Sequence, residues 1–333
     1  VLLNLNAQSD ISSFNNLKVN IEDTCNTYKI LVTGHLHGSS NNKSGFPAST
    51  LLGNLDLING GNYAFMVSLG DLFMNPDTDI DNYYKSFFSK LSVPFFNAVG
   101  NHDVFGNKYK QHFGNTFFSF AKRTEIFIFL DTEINNGDII SEQLLFLKNE
   151  LSSIDTINNI FIFMHRPLWA EEHPLMKNIF TDNTRSFLKT NYNTTIHPLL
   201  ISIPSNKNIF LFAGSMGNAP ASFFYHKENN ITYVATAIRD LPRDAFLEVI
   251  LNNSYPDFNT ITLTNNPVKP LFDYNLDYYN QNSKSTSFNW RLLPLYIKNM
   301  LSNYHFWFGC AVTALFFLII SLFIKRKNRI AKN

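Results

Sequence analysis

The chain has 333 residues, of which 45% are hydrophobic and 16% charged, a composition that supplies a sizeable core and excludes a disordered chain. Its 27 Lys and Arg residues balance 26 Asp and Glu residues, so no broad electrostatic field gathers nucleic acid and no nucleic-acid partner is expected. Cys25 and Cys310 are its only cysteines, and Cys310 falls in an apolar C-terminal stretch, which excludes a disulfide framework.

Residues 1–27 are read as an N-terminal segment in which Leu5-Asn6-Ala7 forms the tail of a signal-peptide remnant. From there to residue 264 one domain is expected. Short apolar runs at Lys29 to Thr33, Tyr63 to Leu69, Val93 to Val99, Glu125 to Leu130 and Ile157 to Met164 predict buried strands. Helical spacing over Asp79 to Leu91 and Ser141 to Leu151 falls between them, with Ser141, Glu142 and Gln143 as a helix start. Strand and helix in alternation is the α/β signature. Beyond Asn208, strands follow one another with hardly a helix between them, which predicts a second, mostly antiparallel sheet.

Residues 265–303 lack periodicity and read as a linker. Residues 304–324 predict one transmembrane helix, since Phe306 to Ile324 carries no charge over about 19 residues, enough to cross a bilayer. Tyr304 and Trp307 suit the interface at one end. At the other, residues 325–333 hold Lys325, Arg326, Lys327, Arg329 and Lys332, which the positive-inside rule places in the cytoplasm. The reading is therefore a single-pass membrane protein whose large domain is extracytoplasmic, whether periplasmic, extracellular or lumenal.

Four predicted strands end in metal-ligand residue types: Thr33-Gly34-His35-Leu36-His37-Gly38, Gly70-Asp71, Gly100-Asn101-His102-Asp103 and His165-Arg166-Pro167. Loops at the carboxyl ends of strands in an open α/β sheet converge on one crevice, so these side chains can meet. A lone His or a Gly-Asp pair is ordinarily structural. The order of the four groups, with Gly-Asn-His-Asp intact among them, is what carries the signal.

From about Lys29 to Leu263 the chain resembles the calcineurin-like metallophosphoesterase family, whose pattern runs Asp-x-His, Gly-Asp-x-x-Asp/Asn, Gly-Asn-His-Asp/Glu, a lone His after a strand, then Gly-His-x-His. The resemblance implies a four-layer α-β-β-α sandwich of two mixed sheets. It also implies that His37 binds a first metal, that Asp71 bridges two, and that Asn101 and His165 bind the second. His102 then faces the substrate phosphate as proton donor or charge stabiliser, with Asp103 orienting it. The stretch Phe129-Leu130-Asp131-Thr132 and the helix beginning Glu142-Gln143-Leu144 also look like this family.

The chain departs from the pattern in three places. His35 stands where the family has its first Asp, Gly214-Ser215-Met216-Gly217 replaces Gly-His-x-His, and Met74 occupies the usual Asp/Asn position with Asn75 one step later. The second-metal position keeps Asp71, Asn101 and His165; the first keeps only His37 and Asp71, with His35 as the remaining donor. Imidazole, amide oxygen and carboxylate suit one or two ions of Zn, Mn or Fe better than Mg. Such a centre neutralises phosphate charge and lowers the pKa of a bound water towards about 7. Arg166, Arg239 and Arg243 are expected to add charge for a substrate phosphate, because the guanidinium fork matches phosphate oxygens.

The leading expectation is a membrane-anchored, metal-dependent phosphoesterase with an altered metal site, acting on a phosphorylated substrate beside the lipid bilayer. The alternative is a catalytically impaired relative that binds a phosphorylated or polyanionic ligand. Lipid, nucleotide, sugar-phosphate and phosphoprotein ligands all fit these residues.

Overall fold

The computed structural model describes residues 10–21, 27–177, 179–180, 190–252, 254–282, 290 and 293–330. The expected signal-peptide remnant ending at Ala7 lies outside the described residues, as do Cys25 and Lys332. The chain divides into two compact units, Val1–Lys284 and Ser285–Asn333.

The first unit begins with β1 (Tyr28–Thr33), α1 (Ser49–Leu52), α2 (Leu55–Gly60), β2 (Phe65–Ser68), α3 (Pro76–Ser86), β3 (Phe95–Asn97) and α4 (Lys108–Phe113). It continues through β4 (Phe118–Lys122), β5 (Glu125–Phe129), α5 (Ser141–Ser152), β6 (Asn159–Met164), α6 (His197–Ile201) and β7 (Asn208–Ala213). The strands β8 (Phe223–Glu228), β9 (Ile231–Thr236), β10 (Ala245–Leu251) and β11 (Asp257–Thr262) then lead to α7 (Leu276–Asn282). These strands form two mixed sheets, ordered β11-β10-β1-β2-β3 and β4-β5-β6-β7-β9-β8. The result is the expected α/β sandwich.

Side-chain alternation sorts three apolar layers. Ile30, Val32, Phe65 and Val67 of the first sheet meet Phe127, Phe129, Phe161 and Phe163 of the second in the core between the sheets. The other face of the first sheet, with Leu31, Met66 and Phe95, packs on Leu51, Ile58, Ile80 and Tyr83 from its helices. Ile126, Ile128, Ile160 and Ile162 cover the far side of the second sheet against Phe146, Leu147 and Leu151 of α5.

Over β4, β5, β6 and β7 the inner face of the second sheet is aromatic. Register places Phe120, Phe127, Phe161 and Phe210 in one row across four strands, and Phe118, Phe129, Phe163 and Phe212 in the next. Ring centroids along the first row lie 5.2, 5.2 and 4.9 Å apart, within the range of favourable aromatic pairs.

Helix α3 starts earlier than the sequence spacing predicts, because Asn75 caps it by accepting from the Asp77 amide at 3.0 Å and Pro76 occupies the first turn. The Asn one step beyond the family's Asp/Asn position is thus used by the helix end. Ser141 opens α5 as expected but makes no side-chain cap. Gln143 instead turns inward, accepting from the Asp131 amide at 2.7 Å and donating to the Asp131 carbonyl at 3.0 Å.

The expectation of a separate antiparallel sheet beyond Asn208 is overturned. Strand β7 lies parallel between β6 and β9, whereas β10 crosses to the first sheet, antiparallel to β1. Only the β8–β9 and β10–β11 pairs are antiparallel to each other as predicted. A strand buried on both faces reads as a plain apolar run, which carries no sign of its neighbours' direction. The expected linker also folds in part. Tyr279 on α7 is fully buried and donates its hydroxyl to the Phe223 carbonyl at 2.7 Å.

In the second unit, α8 (Leu293–Ser302) precedes α9 (Tyr304–Ile330). Within α9, Tyr304–Arg326 has mean hydropathy 2.4 over its most apolar window and is long enough to cross a membrane.

Removing one ring from the aromatic rows opens a cavity that the flanking rings cannot close. Phe127→Ala is expected to lower unfolding stability by about 3–5 kcal/mol, read as a shifted denaturant midpoint; an unchanged midpoint would show that these rows are not what holds the sheets together.

Candidate metal centre

The parallel strands β1, β2 and β3 of one sheet and β6 and β7 of the other end on the same side of the sandwich. Backbone hydrogen bonds then lace their loops together. His35 N donates to Gly70 O at 2.9 Å, His37 N to Asp71 O at 3.3 Å, and Gly214 N and Ser215 N to His165 O at 3.0 and 2.8 Å. The approach leaves no room for a β-carbon at several glycines of these loops. At Gly70, with φ +84°, a Cβ would lie 2.6 Å from His165 Nδ1, and at Gly100 one would lie 2.4 Å from Asp71 Oδ1. His35 and Asp71 themselves have φ of +57° and +51°, a left-handed conformation that costs about 1–2 kcal/mol for residues with a Cβ. Strain at residues that also carry the chemistry is characteristic of a functional site.

One carboxylate oxygen organises the cluster. Asp71 Oδ2 lies 3.3 Å from His35 Nε2, 3.5 Å from His165 Nε2 and 3.8 Å from His37 Nε2. Its other oxygen accepts from the His102 amide at 3.1 Å. Burial raises the Asp71 carboxyl, and the positive charge that His165, His35 and His37 carry whenever protonated pulls it the other way, well below the usual carboxylate range. Burial, reinforced by the Arg239 charge, holds His35 well below the usual histidine value, so it stays neutral and able to ligate.

Tautomers follow from the partners. His165 Nδ1 faces the Leu69 carbonyl at 2.8 Å and His102 Nδ1 faces the Met74 carbonyl at 3.1 Å. A carbonyl only accepts, so both Nδ1 atoms carry the hydrogen and both Nε2 atoms present a lone pair. A lone pair set 3.5 Å from a carboxylate oxygen, as at His165, is repulsive unless a proton or a cation lies between them. His165 Nε2, both ring nitrogens of His37 and His35 Nδ1 are buried without a hydrogen-bond partner, which is costly for groups of this polarity.

These residues fit a metal. His35, Asp71 and His165 form one set of three donors, and His37, Asp71 and His102 form a second, each with ligand atoms within 4.8 Å of one another. The two sets share Asp71, as a bridging carboxylate must. The grouping differs from the family mapping, in which His35 helps His37; here His35 sits with His165, and His102 joins His37. Asn101 is half-buried on the turn that carries His102 to Asp71.

Asp103 does not orient the His102 ring, which takes its direction from the Met74 carbonyl. Its fully buried carboxylate instead accepts from the Leu72 and Phe73 amides at 2.9 and 3.0 Å, the Gly100 amide at 2.9 Å and Asn97 Nδ2 at 3.2 Å. Burial, with the Asp71 charge added, pushes this carboxyl up to about 6 against those hydrogen bonds. Asp103 therefore ties the loop after β2 to the loop after β3.

The arginines divide. Arg166 is buried, pairs through Nε with Glu171 and donates from Nη1 to the Asn136 carbonyl at 2.6 Å, so its guanidinium holds two loops together. Arg239 places Nη2 3.2 Å from His35 Nε2 at the edge of the cluster. Arg243 donates to Ser222 Oγ at 3.2 Å.

Sequence reasoning missed Asn97, which donates to Asp103 and Tyr109 and accepts from the Gly70 amide at 3.2 Å. Its signal was legible, a lone amide inside the apolar run Val93 to Val99. The Leu69 and Met74 carbonyls left none, because any residue supplies a carbonyl.

A comparison with curated protein sequences finds no match. Among solved structures, the chain is similar to a purple acid phosphatase from yellow lupin (Lupinus luteus) seeds, at 12% identity and TM-score 0.48 over 73% of this chain, and it spans 53% of that protein's length. It is also similar to a Thermotoga maritima protein, at 12% identity and TM-score 0.33 over 71% of this chain and 99% of that one. A Vps29 from Entamoeba histolytica aligns at 9% identity and TM-score 0.32, over 70% of this chain and 98% of that one. The family model for calcineurin-like phosphoesterases matches residues 28–237, the span that carries every loop of the cluster, and the chain belongs to that family.

Proposed function

We propose that the protein is a metal-dependent phosphoesterase held at a membrane by α9. The observation that carries this reading is Asp71 Oδ2 among three imidazole nitrogens at 3.3, 3.5 and 3.8 Å. His35, His37, Asp71, Asn101 and His165 would hold one or two ions of Zn, Mn or Fe, with imidazole donors favouring these over Mg. A bound ion of this kind supplies a Lewis acid for the phosphoester and an acidified water.

The chain's own groups do the rest. The Leu69 carbonyl fixes the His165 tautomer so that Nε2 faces the shared carboxylate. His102, half-buried at the mouth with its Nδ1 hydrogen engaged, offers Nε2 either as a ligand beside His37 or, once protonated, as the proton donor to a leaving oxygen. Asp103 acts as a positioning residue through three backbone amides. Arg239 adds positive charge next to His35, where the family has a carboxylate and this chain does not. With Lys325 and Arg326 ending the apolar span, the positive-inside rule orients the tail to the cytoplasm and the catalytic domain to the opposite side.

Elemental analysis of protein purified without chelator is expected to find bound transition metal, and His165→Ala is expected to lose most of it. Metal that stays in the variant would remove His165 from the centre. Turnover of a generic phosphodiester such as bis(p-nitrophenyl) phosphate should fall with it; metal binding without turnover in the parent protein would make the chain a ligand-binding relative instead. Asp103→Asn should weaken metal affinity by about 10–100-fold, the usual cost of a lost outer-shell partner, and wild-type affinity would leave Asp103 a purely structural residue. Full-length protein should remain with membranes through alkaline carbonate washing, and its release would count against α9 as an anchor.

A further inference from the structure

Beside the cluster lies a cavity of about 200 Å³ whose wall includes Arg239, Arg243, Ser39, Ser40, Gly217 and Asn218. It opens where the family's last imidazole would stand, since Gly217 brings no side chain there. Arg239 belongs to both places, lining the cavity and touching His35 of the metal centre at 3.2 Å.

The segment from Arg239 to Asp244 carries two acids, and both accept hydrogen bonds from α1 or from the turn's own backbone. Asp240 Oδ1 accepts from Ser49 Oγ, the Thr50 amide and Thr50 Oγ1 at 3.0, 2.9 and 3.0 Å. Asp244 accepts from the Arg239 and Leu241 amides and from Thr50 Oγ1, at 3.0, 3.2 and 2.9 Å. These bonds fix the turn against α1 and leave two arginines, two serines and an asparagine amide around the cavity, with no acid lining it among the described residues. Arg243 is held in place through Ser222, whose hydroxyl also donates to the Arg243 carbonyl at 3.0 Å.

Donor-rich walls of this kind select an anion, and the guanidinium fork matches phosphate oxygens in particular. Size narrows the choice. A cavity of about 200 Å³ holds several waters at about 30 Å³ each and is smaller than the roughly 300–1,000 Å³ pockets that enclose whole drug-sized ligands. Among the described residues no aromatic ring lines it to stack a base.

We propose that this cavity is a subsite for a second phosphate and that the substrate is a diphosphate, bound with one phosphate at the metal centre and the next between Arg239 and Arg243. The inference rests on the phosphoesterase reading above. Hydrolysis would add one water across the P–O–P bridge: the water oxygen bonds to the phosphorus at the centre, the bridging P–O bond breaks, and the leaving phosphate keeps that electron pair and takes up a proton.

The test is calorimetric binding of non-hydrolysable methylenediphosphonate against orthophosphate on the metal-loaded full chain, with metal content measured in parallel. The diphosphonate is expected to bind at least about tenfold tighter, R243Q is expected to erase that preference with metal content unchanged, and R243K should restore part of it. Asn218→Asp, an exposed change that leaves Ser222 and Arg243 in place, should cost a similar factor by adding an acid to the wall. Equal affinity for the two anions, or a preference that survives both R243Q and N218D, would overturn the subsite even if metal is bound. If no metal is found yet the preference persists and depends on Arg243, the subsite stands and the metal reading falls. ADP and farnesyl diphosphate, titrated in the same way, distinguish a nucleotide-borne from a lipid-borne diphosphate.

Discussion

A buried carboxylate cannot keep its charge alone, and in this protein the groups set around it are imidazoles delivered from two different sheets. Asp71 arrives from the end of β2, His35 and His37 from the end of β1, and His165 from the end of β6. The carboxylate sits almost wholly out of water, where an unpaired charge would cost several kcal/mol. Everything around it answers to that requirement: the absence of side chains at Gly70 and Gly100, the left-handed backbone at His35 and Asp71, and the carbonyls that fix two imidazole tautomers. Loosening any one of these would carry a donor away from the shared carboxylate.

Much of this was legible in the residues. The strands ahead of β7, apart from β4, show as apolar runs, and the loop motifs offered the metal-ligand residue types in order, because such residues stand out at the end of an apolar strand. Two kinds of information were not legible. Strand direction beyond Asn208 was not, since Asn208–Ala213 is buried along nearly its whole length and would read the same in either orientation. The division of labour among polar groups was not either. Asp103 appeared as a companion of the His102 ring and is a clamp on backbone amides; Arg166 appeared as a phosphate binder and pairs with Glu171. Neighbours in sequence on a tight turn point in different directions, and only the packing says where.

The departures from the family pattern form a connected set. His35 in place of a carboxylate removes a negative charge, and Arg239 at 3.2 Å from that ring puts a positive one beside it. Gly217 in place of an imidazole clears the space that Arg239 and Arg243 line. Where the family pattern has anionic and imidazole donors, this chain sets guanidinium groups beside the cluster, which is the ground for the proposed phosphate subsite.

The two rows of phenylalanine between the sheets also set a length scale for chemistry some distance away. Stacked sheets are separated by about 10 Å, and here that gap is filled by phenylalanine rings of the second sheet packed on Ile30, Val32, Phe65 and Val67 of the first. His165 rides on one sheet and Asp71 on the other, so the rings act as a spacer whose thickness is passed along rigid strands to the nitrogen–oxygen gap at their ends. A slightly smaller or larger residue deep in the sandwich would retune that gap, which makes the calibre of the His–Asp cluster a property of the whole domain.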